Sequence, residues 1–193
     1  MKQELTGQYL EDVARFLVRE LRPNFEKDKY TCNLHNTDMS CPYDVEMITF
    51  NRITGKKLKT YFIEVKIRFE DYATIALEKK KYDGISKEIK KYKDRTSNDI
   101  EIEILYLSVH PSGSYLFNLS SMTLIYENWS GTKKSTKFHN KNQDAGDKEA
   151  AFLNKYEAKK FDWTSSTIIQ HYENSLKAKV VKKVQPKDIF DFN

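Results

Sequence analysis

The sequence predicts an α/β domain with a mixed central sheet flanked by helices and a helical C-terminal extension. Three patterns predict this fold class: an amphipathic helix near the start, a long β-hairpin, and a lysine-rich helix followed by two further strands. A chain of 193 residues can bury one substantial core and is short for two independent domains. We therefore expect a core over residues 1–126, with residues 127–193 packed on it or appended to it.

The first helix is predicted by apolar residues at helical spacing. Thr6 is a plausible N-cap, and Pro23 stops the pattern. The apolar positions are Leu10, Val13, Ala14, Leu17, Val18 and Leu21. Together they indicate an amphipathic helix between Thr6 and Pro23.

A strand over 29–34 and a hairpin with arms "YDVEMITFN" and "LKTYFIEVKIRF" come next, joined by a turn around Gly55. The segment "EKKKYDGISKEIKKYK" then predicts a helix with an apolar seam and a positive outer surface. Strands are expected in "IEIEILYLSVH" and "SYLFNLSS". The predicted order is α-β-β-β-α-β-β, followed by an exposed polar loop from Glu127 to Glu149, helices near 149–161 and 165–177, and a basic tail.

The composition narrows the function classes. The 33 Lys and Arg against 28 Asp and Glu give a net charge of +5, which is compatible with a polyanionic partner without requiring one. No run of residues reaches the length of a membrane span, and charges interrupt the apolar pattern of the N-terminal segment, unlike in a signal peptide. We expect a cytosolic protein, in a cell or in an infected cell.

The two cysteines, Cys32 and Cys41, are expected to be thiols, because a cytosolic setting and a well-sized core argue against a disulfide. With His35 they form C-x2-H-x5-C, which offers three zinc ligands and no obvious fourth. Structural zinc sites usually draw their ligands from closely spaced pairs, so thiols are favoured over a zinc site.

The stretch "YFIEVKIRF" carries Glu64 and Lys66 inside a strand that otherwise reads as buried. Alternation places both side chains on one face with Phe62, and places Val65 on the other face. Charged groups at such positions destabilise the fold unless they pair with an opposite charge, and they are otherwise kept for a functional role. A salt-bridge ladder on a solvent-facing sheet, closed by Asp44, is the structural alternative. The apolar residues on both faces favour a functional site.

Asp44 lies 20 residues before Glu64, across the predicted hairpin. If the turn centres on Gly55, Asp44 lies opposite Lys66 and diagonal to Glu64. A tight two-residue turn would put Asp44 on the wrong face, so the site requires a loop of odd length or a β-bulge. Two carboxylates and a lysine then converge, which suits Mg²⁺ bound together with the oxygens of a phosphate.

These residues resemble the PD-(D/E)XK nuclease superfamily over residues 5–120. The resemblance rests on "YDVEMITFN", "YFIEVKIR" and the order of the surrounding helices and strands; it departs where Tyr43 separates Pro42 from Asp44. It implies a restriction-endonuclease-like fold and metal-dependent hydrolysis of phosphodiester bonds in nucleic acid, DNA before RNA. Asp44 and Glu64 would hold Mg²⁺ or Mn²⁺ with the carbonyl oxygen of Val65, and Lys66 would serve the attacking water.

The resemblance also nominates residues around this trio. "GQYLEDVARFL" is similar to the G-x-x-x-E pattern of resolvase-like members, which makes Glu11 a further metal ligand, with Glu20 as its competitor. Arg68 and Lys81 are the expected nucleic-acid contacts, because both lie close to the predicted acidic site. Enzymes that cut two strands are often dimers, so a homodimer is kept open. The alternative function is a non-catalytic nucleic-acid-binding or scaffolding module with the same fold.

Overall fold

The computed structural model describes residues 7–22, 30–36, 41–96, 100–129 and 148–184. Its helices are α1 (Gly7–Leu21), α2 (Lys79–Arg95) and α3 (Ser165–Val184). Its strands are β1 (Tyr30–Asn36), β2 (Val45–Asn51), β3 (Lys57–Ile67), β4 (Ile75–Glu78), β5 (Glu101–His110), β6 (Gly113–Asn118), β7 (Tyr126–Trp129), β8 (Lys148–Leu153) and β9 (Lys159–Phe161).

A six-stranded mixed sheet forms the centre of the protein, in the order β1-β2-β3-β5-β6-β9. Strands β3 and β5 run parallel, and the other described pairs of this sheet are antiparallel. The parallel pair follows from the chain crossing over through α2, because parallel neighbours need a long connection. A second sheet has the order β4-β8-β7. The mixed α/β class predicted from the sequence is therefore confirmed.

One face of the central sheet packs against α1 and α3. The buried residues of α1 meet the odd-numbered residues of β3 and β5 in one apolar cluster, which includes Val13, Leu17, Val45, Ile63, Val65, Leu107 and Ile168. The α1 prediction is confirmed from Gly7 onward, while its expected boundary residues Thr6 and Pro23 lie outside the described residues.

The opposite face packs against α2 and the second sheet. Its cluster includes Phe62, Ile75, Leu77, Ile85, Ile104, Phe117 and Leu153. Glu64 follows Phe62 by two residues on β3 and therefore points toward α2. The face assignment made from alternation is thus confirmed for Phe62 and for Val65, which packs on the α1 side.

The hairpin register differs from the expected one. Val45 pairs with Ile63, so extending the register by one residue sets Asp44 opposite Glu64, and the expected pairing with Lys66 is wrong. The reason lies in the turn, which Asn51 closes: its backbone N–H donates to the Lys56 carbonyl at 2.9 Å. Gly55, with φ of 66°, sits at the end of this turn and not at its centre. The β-bulge that the site required is present between Thr49 and Phe50.

Two other expectations are corrected by the structure. The predicted order α-β-β-β-α-β-β lacks β4, a short strand between β3 and α2. The helix predicted near 149–161 is wrong, because this segment forms β8, a 3₁₀ turn and β9. The segment is rich in good helix formers, but β8 pairs with strands on both sides and buries Ala150, Ala151 and Leu153.

The C-terminal third contributes to the core. Strand β9 extends the central sheet beside β6, and α3 packs on α1, where the Tyr9 hydroxyl donates to Glu173 at 3.1 Å. The helix predicted over 165–177 is confirmed and continues to Val184. Of the loop expected from Glu127 to Glu149, both ends are strand, and residues 130–147 lie outside the described ranges.

Helix α2 approaches the segment before β2 closely, at Gly84. A Cβ at this position would lie 2.9 Å from the Cβ of Pro42, which is a rigid ring atom. The glycine therefore permits the contact that brings the first turn of α2 over the end of β3.

We expect Gly84→Ala to lower the free energy of unfolding by about 1–3 kcal/mol, the usual cost of an overpacked contact. Helix propensity alone predicts the opposite, a gain of about 1 kcal/mol. Urea denaturation measures the difference. Ser86→Ala in the same helix is the matched control, and it should raise the free energy of unfolding by about 0.5 kcal/mol. A stabilised Gly84→Ala variant would mean that α2 does not press on Pro42.

Within the described ranges, no helix combines the length and the apolar character needed to cross a membrane.

Candidate functional site

Asp44 lies at the point where β2 begins, and beyond this point no described strand pairs with β3 on that side. Its backbone N–H donates to the Ile63 carbonyl at 2.9 Å. Its side-chain Oδ2 accepts a hydrogen bond from the Val65 N–H at 2.7 Å. The carboxylate thus accepts the backbone hydrogen bond that a neighbouring strand would otherwise accept, and it is held at the edge of β3.

Glu64 is buried on the α2 side of the sheet, with 5% of its surface exposed. Its Oε1 lies 2.9 Å from the Lys81 ammonium, in the first turn of α2. Its Oε2 is buried and has no hydrogen-bond partner among the described residues. A buried carboxylate oxygen without a partner carries a desolvation cost that a bound cation or a proton would offset.

The two carboxylates lie close enough for each to act on the pKa of the other. Burial first, and the neighbouring Asp44 charge second, raise the pKa of Glu64 to about 8 against the opposing charges of Lys81 and Lys66. Burial also raises the pKa of Asp44, while the hydrogen bond from Val65 lowers it in part. Two acids this close hold a proton between them near neutral pH unless a cation replaces it.

The backbone of Val65 points toward the same opening. The N–H and C=O of one residue leave a strand on the same side, and the Val65 N–H bonds to Asp44. The Val65 carbonyl therefore faces the side on which Asp44 lies. This placement is compatible with the role expected for Val65 as a backbone ligand.

Lys66 lies on the α2 side of β3, two residues after Glu64, and is exposed. Desolvation around its ammonium lowers its pKa, and the positive charge of Arg68 lowers it further, while Glu64 and Glu78 oppose this. Lys66 forms no ion pair with a carboxylate of the described residues. Its amine is accordingly near Glu64 without being neutralised by it.

Arg68 continues the same row of side chains. Its guanidinium lies over the Tyr72 ring, 5.8 Å from the centroid, and its charge opposes the burial that raises the pKa of Tyr106. Tyr106 donates to the Ala76 carbonyl at 3.2 Å. Arg68 is therefore held in place beside Lys66, where it can meet an anion.

Helix α1 presents a charged edge near the site. Glu11 forms an ion pair with Arg15 at 3.6 Å, and its buried Oε2 has no hydrogen-bond partner among the described residues. Burial raises the pKa of Asp44 and the charge of Arg15 opposes this weakly, so the guanidinium lies within electrostatic reach of this acid. Glu20, the competitor of Glu11, is exposed. Arg15 was not singled out from the sequence, although its i+4 spacing from Glu11 was the available signal.

A second polar network extends from the site along β5. The Ser108 hydroxyl and His110 Nε2 lie 2.8 Å apart, and His110 Nδ1 lies 4.0 Å from Asp71. These residue types also form nucleophilic Ser-His-Asp sites. Ser108 has none of its surface exposed, however, and no substrate could reach it in this conformation. The network is better explained as support for the β5 neighbours of Glu64 and Lys66.

The sequence carried a signal for this network too. Tyr106, Ser108 and His110 alternate with apolar residues, as Glu64 and Lys66 do on β3. Glu64 pairs with Tyr106, and Lys66 pairs with Ser108. The polar rows of two parallel strands therefore lie side by side on one face.

The donor set fits a hard divalent cation in part. Asp44, Glu64 and the Val65 carbonyl are oxygen ligands of the kind that Mg²⁺ takes, and Glu64 Oε2 is buried without a hydrogen-bond partner among the described residues. The described residues contain no group of three or more His, Cys, Asp or Glu side chains placed to hold a metal together. The role of Glu11 as a further ligand thus stays a prediction. Cys32 and Cys41 form no disulfide, as expected.

No protein-family model and no curated protein matches this chain.

Proposed function

We propose that this protein is a metal-dependent nuclease that hydrolyses phosphodiester bonds in nucleic acid, with DNA as the first substrate to test. One observation carries the proposal: the buried Glu64 and the half-buried Asp44 act on each other's pKa at the end of an apolar strand, close to Lys81, Lys66 and Arg68. Paired buried acids are costly to fold, and perturbed pKa values of this kind cluster at functional sites.

The proposal includes a restriction-endonuclease-like fold. It is supported by a helix, a three-stranded antiparallel meander, a crossover helix and a parallel strand in that order, with β4 interposed before the crossover helix. Of the proposed acids, Glu64 lies on β3 and Asp44 immediately precedes the neighbouring strand β2.

Asp44, Glu64 and the Val65 carbonyl would hold Mg²⁺ or Mn²⁺, which supplies a Lewis acid for the phosphate and lowers the pKa of a bound water. Lys66, whose pKa is lowered, would orient the attacking water and take its proton. Arg68 and Lys81 would contact the phosphate oxygens and stabilise the charge that develops on them. The Val65 N–H keeps the Asp44 carboxylate in the orientation that this requires.

The test is a cleavage assay on single-stranded, duplex and branched DNA and on RNA, with Mg²⁺, with Mn²⁺ and with a chelator. We expect cleavage only with metal, and a rate at least about 100-fold lower for Asp44→Asn, because removing one electrostatic stabiliser typically costs that much. Asp94→Asn, an exposed acid on α2, is the matched control and should cleave like wild type.

If wild type and Asp44→Asn are equally inert on every substrate, the enzyme proposal fails. Nucleic-acid binding without turnover in that experiment would favour the non-catalytic module instead. Homodimerisation and a cytosolic location stay predictions from the sequence.

A further inference from the structure

Lys81 places its charge in the position expected for a metal ion. Its ammonium lies 2.9 Å from Glu64 Oε1 and donates to the Pro42 carbonyl at 3.4 Å. Its charge also acts on Asp44. Two oxygen atoms, one from the segment before β2 and one from β3, therefore contact one cation, and they are of the same chemical type as the ligands of Mg²⁺.

The fold brings Lys81 to this position through the close approach of α2. The missing side chain of Gly84 lets the helix pack against Pro42, one turn away from Lys81. Other lysines of the helix have different partners: Lys79 pairs with Glu149 at 2.7 Å, and Lys91 pairs with Glu88 at 2.6 Å.

The two members of the Lys81–Glu64 pair differ in their freedom to move. The Glu64 side chain is 6% exposed, whereas the Lys81 side chain is 41% exposed. Lys81 can therefore swing into solvent on its flexible stem while Glu64 stays in place.

We propose that Lys81 is a resident counter-cation, which pairs with the ionised form of Glu64 in the metal-free protein and is displaced when a divalent ion binds to the acids. This inference rests on the proposed metal site and adds a competition to it. Because the ammonium and the ion favour the same carboxylate, each weakens the binding of the other, as linkage requires. The displaced Lys81 is then available to a phosphate at the rim of the site.

The first experiment compares Mn²⁺ binding to the full chain before and after Lys81→Met, which keeps the apolar stem and removes the charge. The protein is freed of metal with a chelator, dialysed, and titrated by calorimetry. We expect Lys81→Met to bind Mn²⁺ more tightly, by roughly 5- to 150-fold, the usual range of such couplings. Lys81→Arg should bind like wild type, as should the control Lys79→Met.

A second measurement needs no variant and so does not depend on the folding of Lys81→Met. Acylation of wild-type lysines is followed by mass spectrometry with and without Mn²⁺. We expect Lys81 to react faster when Mn²⁺ is bound, because the ammonium leaves Glu64, whereas Lys79 keeps its rate.

The outcomes separate the two proposals. If wild type binds Mn²⁺ and Asp44→Asn does not, but Lys81→Met binds no more tightly and Lys81 labelling is unchanged, the counter-cation is overturned and the metal site stands. If wild type binds no Mn²⁺, both are overturned. Tighter binding by Lys81→Met together with faster labelling of Lys81 supports the exchange.

Discussion

Replacing Glu64 with glutamine is expected to stabilise the protein at pH 8 and to abolish the proposed nuclease activity and the expected response to Mn²⁺. Glutamine keeps the shape of the side chain and removes the buried negative charge. This charge destabilises the fold. Burial and the neighbouring Asp44 charge together raise the pKa of Glu64 from 4.5 to about 8. The Lys81 side chain is partly exposed, so losing its partner costs little.

The pH dependence follows from the direction of this shift. Between pH 4.5 and about 8 the folded protein holds a proton on Glu64 that the unfolded chain has released. Stability from this group is therefore complete below pH 4.5 and is lost as the pH rises toward about 8. We expect Glu64→Gln to remove this loss and to gain at least about 1.4 kcal/mol at pH 8, the equivalent of one pKa unit.

Urea denaturation at pH 5 and pH 8, with and without Mn²⁺, measures both effects. Wild type should be stabilised by Mn²⁺ at pH 8, and Glu64→Gln should not respond, because a neutral amide is a poor ligand for a hard cation. Glu88→Gln, which breaks only a surface pair with Lys91, is the matched control and should change stability by no more than about 0.5 kcal/mol. A Glu64→Gln variant less stable than wild type at pH 8 would show that the ionised carboxylate is satisfied in the fold.

Replacing Lys66 with alanine is expected to lower the cleavage rate by roughly 10²- to 10⁴-fold, the usual contribution of a positioned acid or base. Mn²⁺ binding should persist, because the ligands Asp44 and Glu64 remain. The effect should appear in kcat more than in KM, since in the proposed mechanism the amine would act on the water in the transition state and Arg68 would still contact the phosphate.

The pH profile of cleavage distinguishes a Lys66 that accepts a proton from a Lys66 that only supplies a positive charge. The lowered pKa of Lys66 predicts that the rise of kcat/KM due to this group lies below pH 10.5, its ordinary value. Lys66→Arg should not restore the rate, because a guanidinium keeps its proton throughout this range.

Lys56→Ala is the matched control for Lys66→Ala. Lys56 is an exposed lysine in the turn before β3, at the far end of that strand, and its loss should leave the rate unchanged. Equal activity of the two alanine variants would exclude Lys66 from the chemistry.

The hairpin illustrates how far local pattern reaches. Alternation correctly assigned Phe62 and Val65 to opposite faces, because side-chain direction in a strand is a local property. The partner of Asp44 was misplaced by two residues, since register depends on where the turn closes, and Asn51 sets that point through its hydrogen bonds.

In the C-terminal region, local helix propensity predicts the wrong secondary structure. Residues 148–153 favour a helix by propensity, yet β4 and β7 pair with them and make them a strand. Helix propensities of ordinary residues differ by up to about 0.7 kcal/mol per residue, and the pairing of β8 with its neighbouring strands outweighs these differences. The sequence pattern of this segment does not indicate that β4 and β7 pair with it.

The acids and the lysines of the candidate site were identified from the sequence because a charge inside an apolar strand is visible there. Asp44, Glu64, Lys66, Arg68 and Lys81 were all named from that pattern and from the resemblance it supports. The contact between Lys81 and Glu64 was not anticipated, because it depends on the packing of α2 at Gly84.

The sequence by itself determined the mixed α/β class, the faces of the hairpin strands and the chemical groups of the candidate site, since these follow from periodicity and residue type. Only the tertiary structure decided the register that sets Asp44 beside Glu64, the strands of the C-terminal region and the partner of Lys81. Each of these depends on contacts between residues distant in the chain, and the free energy of such contacts has no counterpart in local spacing.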